Sequence, residues 1–340
     1  MKKHYIDKTQ NYYKSQKQAQ AYLDMFKSKE YSKRIVSGEF SLLQNNLKIL
    51  LKYFSNQTHY IDLGPGNADK SELILNRAKS KNKIKTYTAI DIQKIYLEIA
   101  KEKIENLKIP VEILLTTFED GLKELKKIQN NKFIYLGATH CNFKPEEINQ
   151  TLIKNMNKED FVYISTELFS ENITDIIKNY NTLNSETMIK PVIEKFNINE
   201  NDIEFVVEYN NELNQIELGY KLKTQTQQFN KGDFLICLTS RKPTATQFRE
   251  SLESDFEGEF IQNKSNIAFI GKKINNNNKI CSNKQKRNSR THHEVNFASF
   301  KTSFSDFVNS GDFLWSDYSI AISVNQIKLL LVAQYGNFTQ

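Results

Sequence analysis

The sequence predicts an α/β protein: a Rossmann-like, doubly wound sheet with a helical segment before it and an α+β insertion within it. Three observations carry that prediction. From position 58 onward, short apolar runs alternate with amphipathic stretches, the pattern of strands joined by crossover helices. The first run ends in a glycine turn, Gly64-Pro-Gly66, and the second ends in a carboxylate, Asp91. Features placed just after successive strands fall on one edge of a parallel sheet, where open α/β folds collect ligands.

Each element has its own signal. Residues 1–57 read as a helical segment, with one apolar face from Ala19, Leu23 and Phe26 and another from Leu43, Leu47, Leu50 and Phe54. Strands are expected over Tyr60–Leu63, Lys85–Ile92, Val111–Leu115, Phe133–Leu136 and Phe161–Ser165. Helices are expected over Ser71–Ala78, Ile95–Leu107, Leu122–Ile128 and Pro145–Met156. Residues 169–225 break the rhythm and read as an inserted α+β substrate lobe. The core, 58–168, resumes over 226–274, with a buried strand at Phe234–Thr239, a helix at Thr246–Phe256, and a hairpin or closing strand from Gly258–Phe260 and Asn266–Ile270. Residues 275–294 read as a polar, basic linker. Residues 295–340 form an aromatic tail whose Phe297, Phe300, Phe304 and Phe307 have helical spacing; the tail is expected to pack on the domain or on a second copy, as in a homodimer.

Composition narrows the function classes. The chain has 340 residues, 47 basic and 40 acidic, a formal charge of +7. Four of the basic residues lie between Lys284 and Arg290 in an Asn-rich stretch rather than among aromatics, so nucleic acid is not the expected partner. Cys141, Cys237 and Cys281 form no CxxC pair and only His292 and His293 are adjacent, so no metal site is expected. The basic start lacks the apolar stretch of a leader, and no run approaches the ~18 apolar residues of a membrane span. The expectation is a cytoplasmic protein with no membrane partner.

The glycine turn sets the cofactor. Gly64 and Gly66 let the chain turn sharply and let a ligand approach the backbone, with helix-opening N–H groups behind them. A dinucleotide loop would place a third small residue at position 69, but Asp69 stands there. Asp62, at the strand end, suits the cationic methionine portion of S-adenosylmethionine. Asp91, 25 residues past Gly66, can accept hydrogen bonds from two ribose hydroxyls. Thr117 and Phe118, after the third strand, offer backbone and an aromatic edge to an adenine. S-adenosylmethionine is therefore the expected cofactor.

These residues resemble the histidine-specific Nα-methyltransferase family of the ergothioneine pathway. The resemblance spans roughly residues 20–274 and rests on two elements. One is the lysine four residues after the second glycine, in Gly66-Asn-Ala-Asp-Lys70. The other is the fourth-strand end, Leu136-Gly137-Ala138-Thr139-His140-Cys141-Asn142-Phe143. The resemblance implies that Gly64, Gly66, Asp91 and Phe118 contact the cofactor and that Lys70 helps to set it. It implies that Asn142 faces the substrate amino-acid group and Tyr180 stands near the reacting amine. Tyr31 falls where the family has a Glu-Tyr-Tyr element, and Thr187 keeps the spacing of a family threonine. The departures are as informative. Thr117 replaces a family aspartate. On the strand after the lobe, Cys237 replaces the glutamate that binds imidazole, and Thr239 replaces a serine two residues on. A thiol cannot accept an imidazole N–H with a full charge, a loss of roughly 1.5–3 kcal/mol.

The resulting expectation is an S-adenosylmethionine-dependent N-methyltransferase acting on a small amino acid or amine other than histidine. Asn142 and Tyr180 would be catalytic, and Tyr31 and Thr239 would help bind substrate. The alternatives are a methyltransferase-like protein that binds without catalysis, or one acting on a peptide or protein. Asn142 could instead cap the helix before Pro145, Tyr180 could be a surface aromatic of a polar lobe, and Glu167, which could be a carboxylate partner of the substrate, is expected to face solvent.

Overall fold

The computed structural model describes residues 2–6, 15–27, 37–81, 83–128, 131–169 and 172–274. Tyr31, Cys281, the basic segment 275–294 and the tail 295–340 lie outside the described residues.

The chain enters with a short strand, β1 (Lys3–Tyr5), then helices α1 (Gln16–Lys27) and α2 (Ser37–Leu50). The alternating part follows: β2 (Thr58–Leu63), α3 (Asp69–Lys79), β3 (Ile84–Asp91), α4 (Lys94–Glu105), β4 (Val111–Leu115), α5 (Phe118–Leu125), β5 (Lys132–Gly137), α6 (Pro145–Asn155) and β6 (Phe161–Glu167). The insertion holds α7 (Ile173–Tyr180), α8 (Leu183–Glu194), β7 (Ile203–Asn210) and β8 (Gln215–Leu222). The chain then forms β9 (Phe234–Arg241), α9 (Ala245–Glu253), β10 (Phe256–Gln262) and β11 (Asn266–Lys273).

A seven-stranded sheet runs in the order β10-β11-β6-β5-β2-β3-β4. Strands β2 to β6 pair in parallel; β11 is antiparallel to β6 on one side and to β10 on the other. This is the doubly wound Rossmann-like sheet expected from the alternation, closed by the expected hairpin. Every residue of β2 and of β5 is buried, as for strands covered by helices on both faces. Side chains alternate between those faces. One face carries an aromatic layer of Phe54, Tyr60, Tyr87, Phe133, Tyr135 and Tyr163; the other carries Ile61, Leu63, Ile90, Ile134, Leu136 and Ile164. In the aromatic layer Tyr135 and Tyr163 stack with ring centroids 5.0 Å apart.

Two expectations need correction. The buried strand after the lobe does not return to the core sheet. β9 pairs antiparallel with β8 and parallel with β1, in a second sheet of order β1-β9-β8-β7. A continuous apolar run reports burial on both faces but not which neighbours bury it. The entry to the 1–57 segment is likewise not helical, since Lys3–Tyr5 forms the edge of that second sheet. The second sheet packs its apolar face against α7, α8 and part of α1 through Ile176, Tyr180, Ile189, Ile193, Ile216 and Leu235.

The pairing of β9 with β8 is irregular at one point. Leu218 pairs with Leu238 but Gly219 pairs with Ile236, so Cys237 is an extra residue, a β-bulge. Gly219 is required there, because a Cβ would stand 2.0 Å from the Leu235 carbonyl oxygen. Beyond the bulge the alternation of β9 is reversed. Among the described residues no helix is long and apolar enough to cross a membrane.

Candidate active site

The loop between β2 and α3 is built around left-handed backbone: φ is 74° at Gly64, 55° at Gly66 and 57° at Ala68. A Cβ on Gly64 would meet the Phe118 ring and the Thr139 hydroxyl, each at 3.3 Å. Gly64→Ala is therefore expected to cost about 1–2 kcal/mol for the left-handed backbone alone and to weaken nucleotide binding by roughly tenfold or more. Urea midpoints and calorimetric titration would measure the two effects; unchanged binding would refute the close approach at Gly64.

Beneath the loop, Asp62 is buried. Its Oδ2 accepts hydrogen bonds from Ser71 Oγ at 2.5 Å and Tyr87 OH at 2.8 Å, while Oδ1 is buried with no partner. Burial pushes its carboxyl up to about 6, against those two hydrogen bonds and the Lys70 ammonium. At the end of β3, Asp91 Oδ1 accepts the Gln93 N–H at 2.8 Å. Burial pushes that carboxyl up to about 7.

Two cavities open on this edge of the sheet. The smaller, about 610 Å³, is lined by Asp91, Ile92, Tyr96, Thr117, Phe118 and Phe143. Thr117 caps α5, its hydroxyl accepting the Asp120 N–H at 3.2 Å, and the Phe118 and Phe143 rings lie 5.8 Å apart. The larger, about 990 Å³, runs from the glycine loop, Lys70 and Glu39 to the lobe side, where Tyr180, Met188, Ser240 and Lys242 line it. Both cavities share Tyr22, Gly64, Gly66, Thr139 and Asn142 on their walls, so they meet there.

The walls of the larger cavity carry two ion pairs. Lys70 Nζ pairs with buried Glu39, which also accepts hydrogen bonds from Tyr135 OH and Ser165 Oγ. On the lobe side Lys242 Nζ donates to Tyr180 OH at 3.0 Å and Ser240 Oγ at 3.1 Å, and stands 3.0 Å from Glu167 Oε2. That last contact is an ion pair out of line for a hydrogen bond, since Glu167 Oε2 has no hydrogen-bond partner. Burial works against the Lys242 charge, yet the Glu167 carboxylate and the Tyr180 oxygen hold its pKa well above the usual lysine range. Burial pushes the Tyr180 phenol up, opposed by Lys242.

Of the residues singled out from the sequence, Gly64, Gly66 and Asn142 line both cavities, Asp91, Thr117 and Phe118 the smaller, and Lys70 and Tyr180 the larger. Asp62 braces the loop from below instead of lining a wall. Asn142 is not a helix cap, because Lys144 holds that position for α6. Tyr180 is buried and not a surface aromatic. Glu167, expected to face solvent, is 5% exposed and paired with Lys242. Thr239 does not line either cavity: the bulge at Cys237 turns Leu238, Ser240 and Lys242 toward the site, and Thr239 is half-buried opposite Glu217 on the other face. Thr187 lines neither cavity, whereas its neighbour Met188 does.

Sequence reasoning missed Tyr22, Glu39, Thr139, Glu167, Ser240 and Lys242. Thr139 lay within the quoted fourth-strand element. Lys242 left no signal, since a lysine at the end of an apolar strand ordinarily reaches solvent.

A family described as histidine-specific, S-adenosylmethionine-dependent methyltransferase matches residues 12–270. Over 125 residues the chain is 25% identical to the N-methyltransferase fsqC of Aspergillus fumigatus, a match spanning 34% of this chain and 34% of that relative. It is distantly similar to a solved protein of Pyrococcus horikoshii OT3 (13% identity, 73% of this chain and 94% of the other, TM-score 0.43). A similar distance separates it from an S-adenosylmethionine-dependent methyltransferase of Clostridium acetobutylicum (8% identity, 74% and 98%, TM-score 0.41).

Proposed function

Because the chain belongs to the family of histidine-specific, S-adenosylmethionine-dependent methyltransferases, we propose that it methylates the nitrogen of a small amino acid or amine other than histidine. The observation that carries this reading is the junction of the two cavities at Gly64, Gly66, Thr139 and Asn142. A donor held on the Asp91 side and an acceptor held on the Tyr180 side would meet there.

The residues present fit the cofactor. Asp62 keeps one buried oxygen unpartnered beneath the loop, Gly64 leaves room that a Cβ would fill, and Asp91 stands on the wall beyond. Asp91 would accept the ribose hydroxyls, and Phe118 and Phe143 would flank the adenine. Lys70, paired with Glu39, would face the methionine end. When bound, S-adenosylmethionine supplies a methyl group on a sulfonium, open to in-line attack by a neutral amine. The protein's own contribution is alignment and exclusion of water. Asn142 and Thr139 would orient the amine at the junction. Tyr180, its oxygen already accepting from Lys242, has its own proton to donate or share with Ser240.

An acceptor other than histidine is favoured by the β9 wall. Cys237 sits in the bulge within the apolar cluster, and the polar groups that β9 and its end bring to the cavity are Ser240 and Lys242, not a carboxylate; the carboxylates on the cavity wall, Glu39 and Glu167, are each paired with a lysine.

Tyr180→Phe is expected to lower kcat/KM about 10- to 100-fold with cofactor affinity unchanged, the effect of one buried hydrogen bond. The reading as a whole is tested by calorimetry with S-adenosylmethionine, followed by mass spectrometry of a panel of amino acids and amines. No cofactor binding would sink it. Cofactor binding with no methylated product from any amine would point instead to a peptide or protein acceptor, or to binding without catalysis.

A further inference from the structure

Four buried polar groups converge on the lobe side of the larger cavity: Glu167 from the core sheet, Tyr180 from α7, and Ser240 and Lys242 from β9 and its end. Lys242 is 2% exposed. Methyl transfer as read above gives no use for a cation at the reacting atom, because the amine gains positive charge as it is methylated and a neighbouring ammonium would oppose it. A pair whose only task was to join core and lobe would be replaced at little cost, or at a gain, by apolar side chains of the same volume. The cation instead stands on a cavity wall.

Its hydrogen bonding leaves a vacancy. An ammonium has three N–H donors; two go to Tyr180 OH and Ser240 Oγ, while the Glu167 contact is an ion pair without hydrogen-bond geometry. The group is also close to the junction. Ser240 Oγ contacts Cys141 Sγ at 3.6 Å, and Cys141 Sγ contacts Asn142 Oδ1 at 3.6 Å. Asn142 stands on the wall both cavities share. Side chains in contact thus connect the Lys242 ammonium to the junction, and Lys242, Ser240, Cys141 and Asn142 all line the same cavity.

We propose that Lys242 is the specificity-determining residue of the acceptor side, receiving a carboxylate that the acceptor carries a few bonds from the amine to be methylated. Ser240 and Tyr180 flank that carboxylate, and Glu167 is the counter-ion that keeps Lys242 charged when no acceptor is present. The proposal rests on the acceptor reading above and deepens it, from any small amine to a carboxylate-bearing one.

The test is a binding measurement, so it does not depend on turnover. Full-length protein saturated with S-adenosylhomocysteine is titrated with phenylalanine and phenethylamine, tryptophan and tryptamine, and leucine and isopentylamine. Each amino acid is expected to bind at least about 100-fold tighter than its decarboxylated partner, the worth of charge-assisted hydrogen bonds to a carboxylate. Lys242→Met should collapse that preference to within a few-fold, and Lys242→Arg should keep a substantial part of it. A second variant, Lys242→Met with Glu167→Gln, leaves no lone buried carboxylate and guards against misfolding; its S-adenosylhomocysteine affinity reports an intact fold. Equal binding of both members of each pair by the wild type, no binding of either, or a preference surviving in the methionine variants would overturn the proposal. If amino acids bind preferentially but mass spectrometry finds no methylated product, the reading as N-methylation of a small acceptor fails and the carboxylate site stands.

Discussion

Replacing Asp91 by Asn is expected to weaken S-adenosylmethionine binding at least about 100-fold while making the ligand-free protein more stable at pH 8. The two effects have one cause. Asp91 is 7% exposed at the carboxyl edge of the sheet. Burial is the largest influence on its carboxyl, followed by the backbone N–H groups of Gln93 and Ile92, which oppose the shift without cancelling it, and the result is a value pushed up to about 7. In the unfolded chain the group has its ordinary value of 3.8. Between those two values the folded state holds a proton that the unfolded state has lost, so stability falls as pH rises through that window and the full penalty stands above it. Its size is on the order of 4 kcal/mol. An amide carries no charge to bury and so removes the penalty, but it offers one acceptor oxygen where the carboxylate offers two. Two charge-assisted hydrogen bonds to ribose hydroxyls, each about 1.5–3 kcal/mol, would be lost or weakened. Urea midpoints of wild type and variant at pH 4.5 and pH 8, with calorimetric titrations of the cofactor, measure both effects. Asp62, pushed up to about 6, acts in the same direction and leaves a smaller slope in the variant. Binding within threefold of wild type would remove Asp91 from the cofactor site. Cofactor binding to the wild type at pH 6.5 should also release protons, seen as a dependence of the measured heat on buffer ionisation enthalpy.

The second large effect is structural and lies at the opposite edge of the sheet. Lys132 and Asp160 form an ion pair at 2.7 Å in which both side chains are 1% exposed. The carboxylate also accepts the Lys132 N–H at 3.0 Å and the Asn157 N–H at 2.6 Å, and the ammonium donates to the Ile128 carbonyl at 3.2 Å. Breaking such a pair from one side strands a buried charge. Asp160→Asn is expected to cost about 3–5 kcal/mol, read as a lowered urea midpoint with no change in slope. Lys132→Met combined with Asp160→Asn should cost less than either single change, because no lone charge remains. A double variant as unstable as the sum of the singles would show that the two groups act independently. Cofactor affinity of the folded fraction should be unaffected, since neither residue lines a cavity.

The two effects sit at the two ends of the parallel strands, and they divide along the line between what was and was not legible in the sequence. Asp91, Gly64, Gly66 and Phe118 were found from order along the chain alone. Each ends a strand of a parallel sheet or comes within three residues of its end, and parallel pairing carries all such positions to the same edge. Tyr180 and Asn142 were reached through a family resemblance, and both line the larger cavity. Lys132 and Asp160, 28 residues apart, carried no pattern, because an ion pair between strand starts depends on register and not on periodicity.

What the sequence by itself determined is therefore the core sheet, the glycine loop and the cavity wall at the strand ends, where local pattern and strand order are enough. The destination of β9 was decided only by tertiary structure, because an apolar run reports burial but not its neighbours. The facing of β9 was decided there too: the bulge at Cys237 reverses the alternation, bringing Ser240 and Lys242 to the cavity and taking Thr239 away. Glu167 and Lys242 become buried partners only when the core and the second sheet are brought together, a contact between segments 75 residues apart that no local spacing encodes.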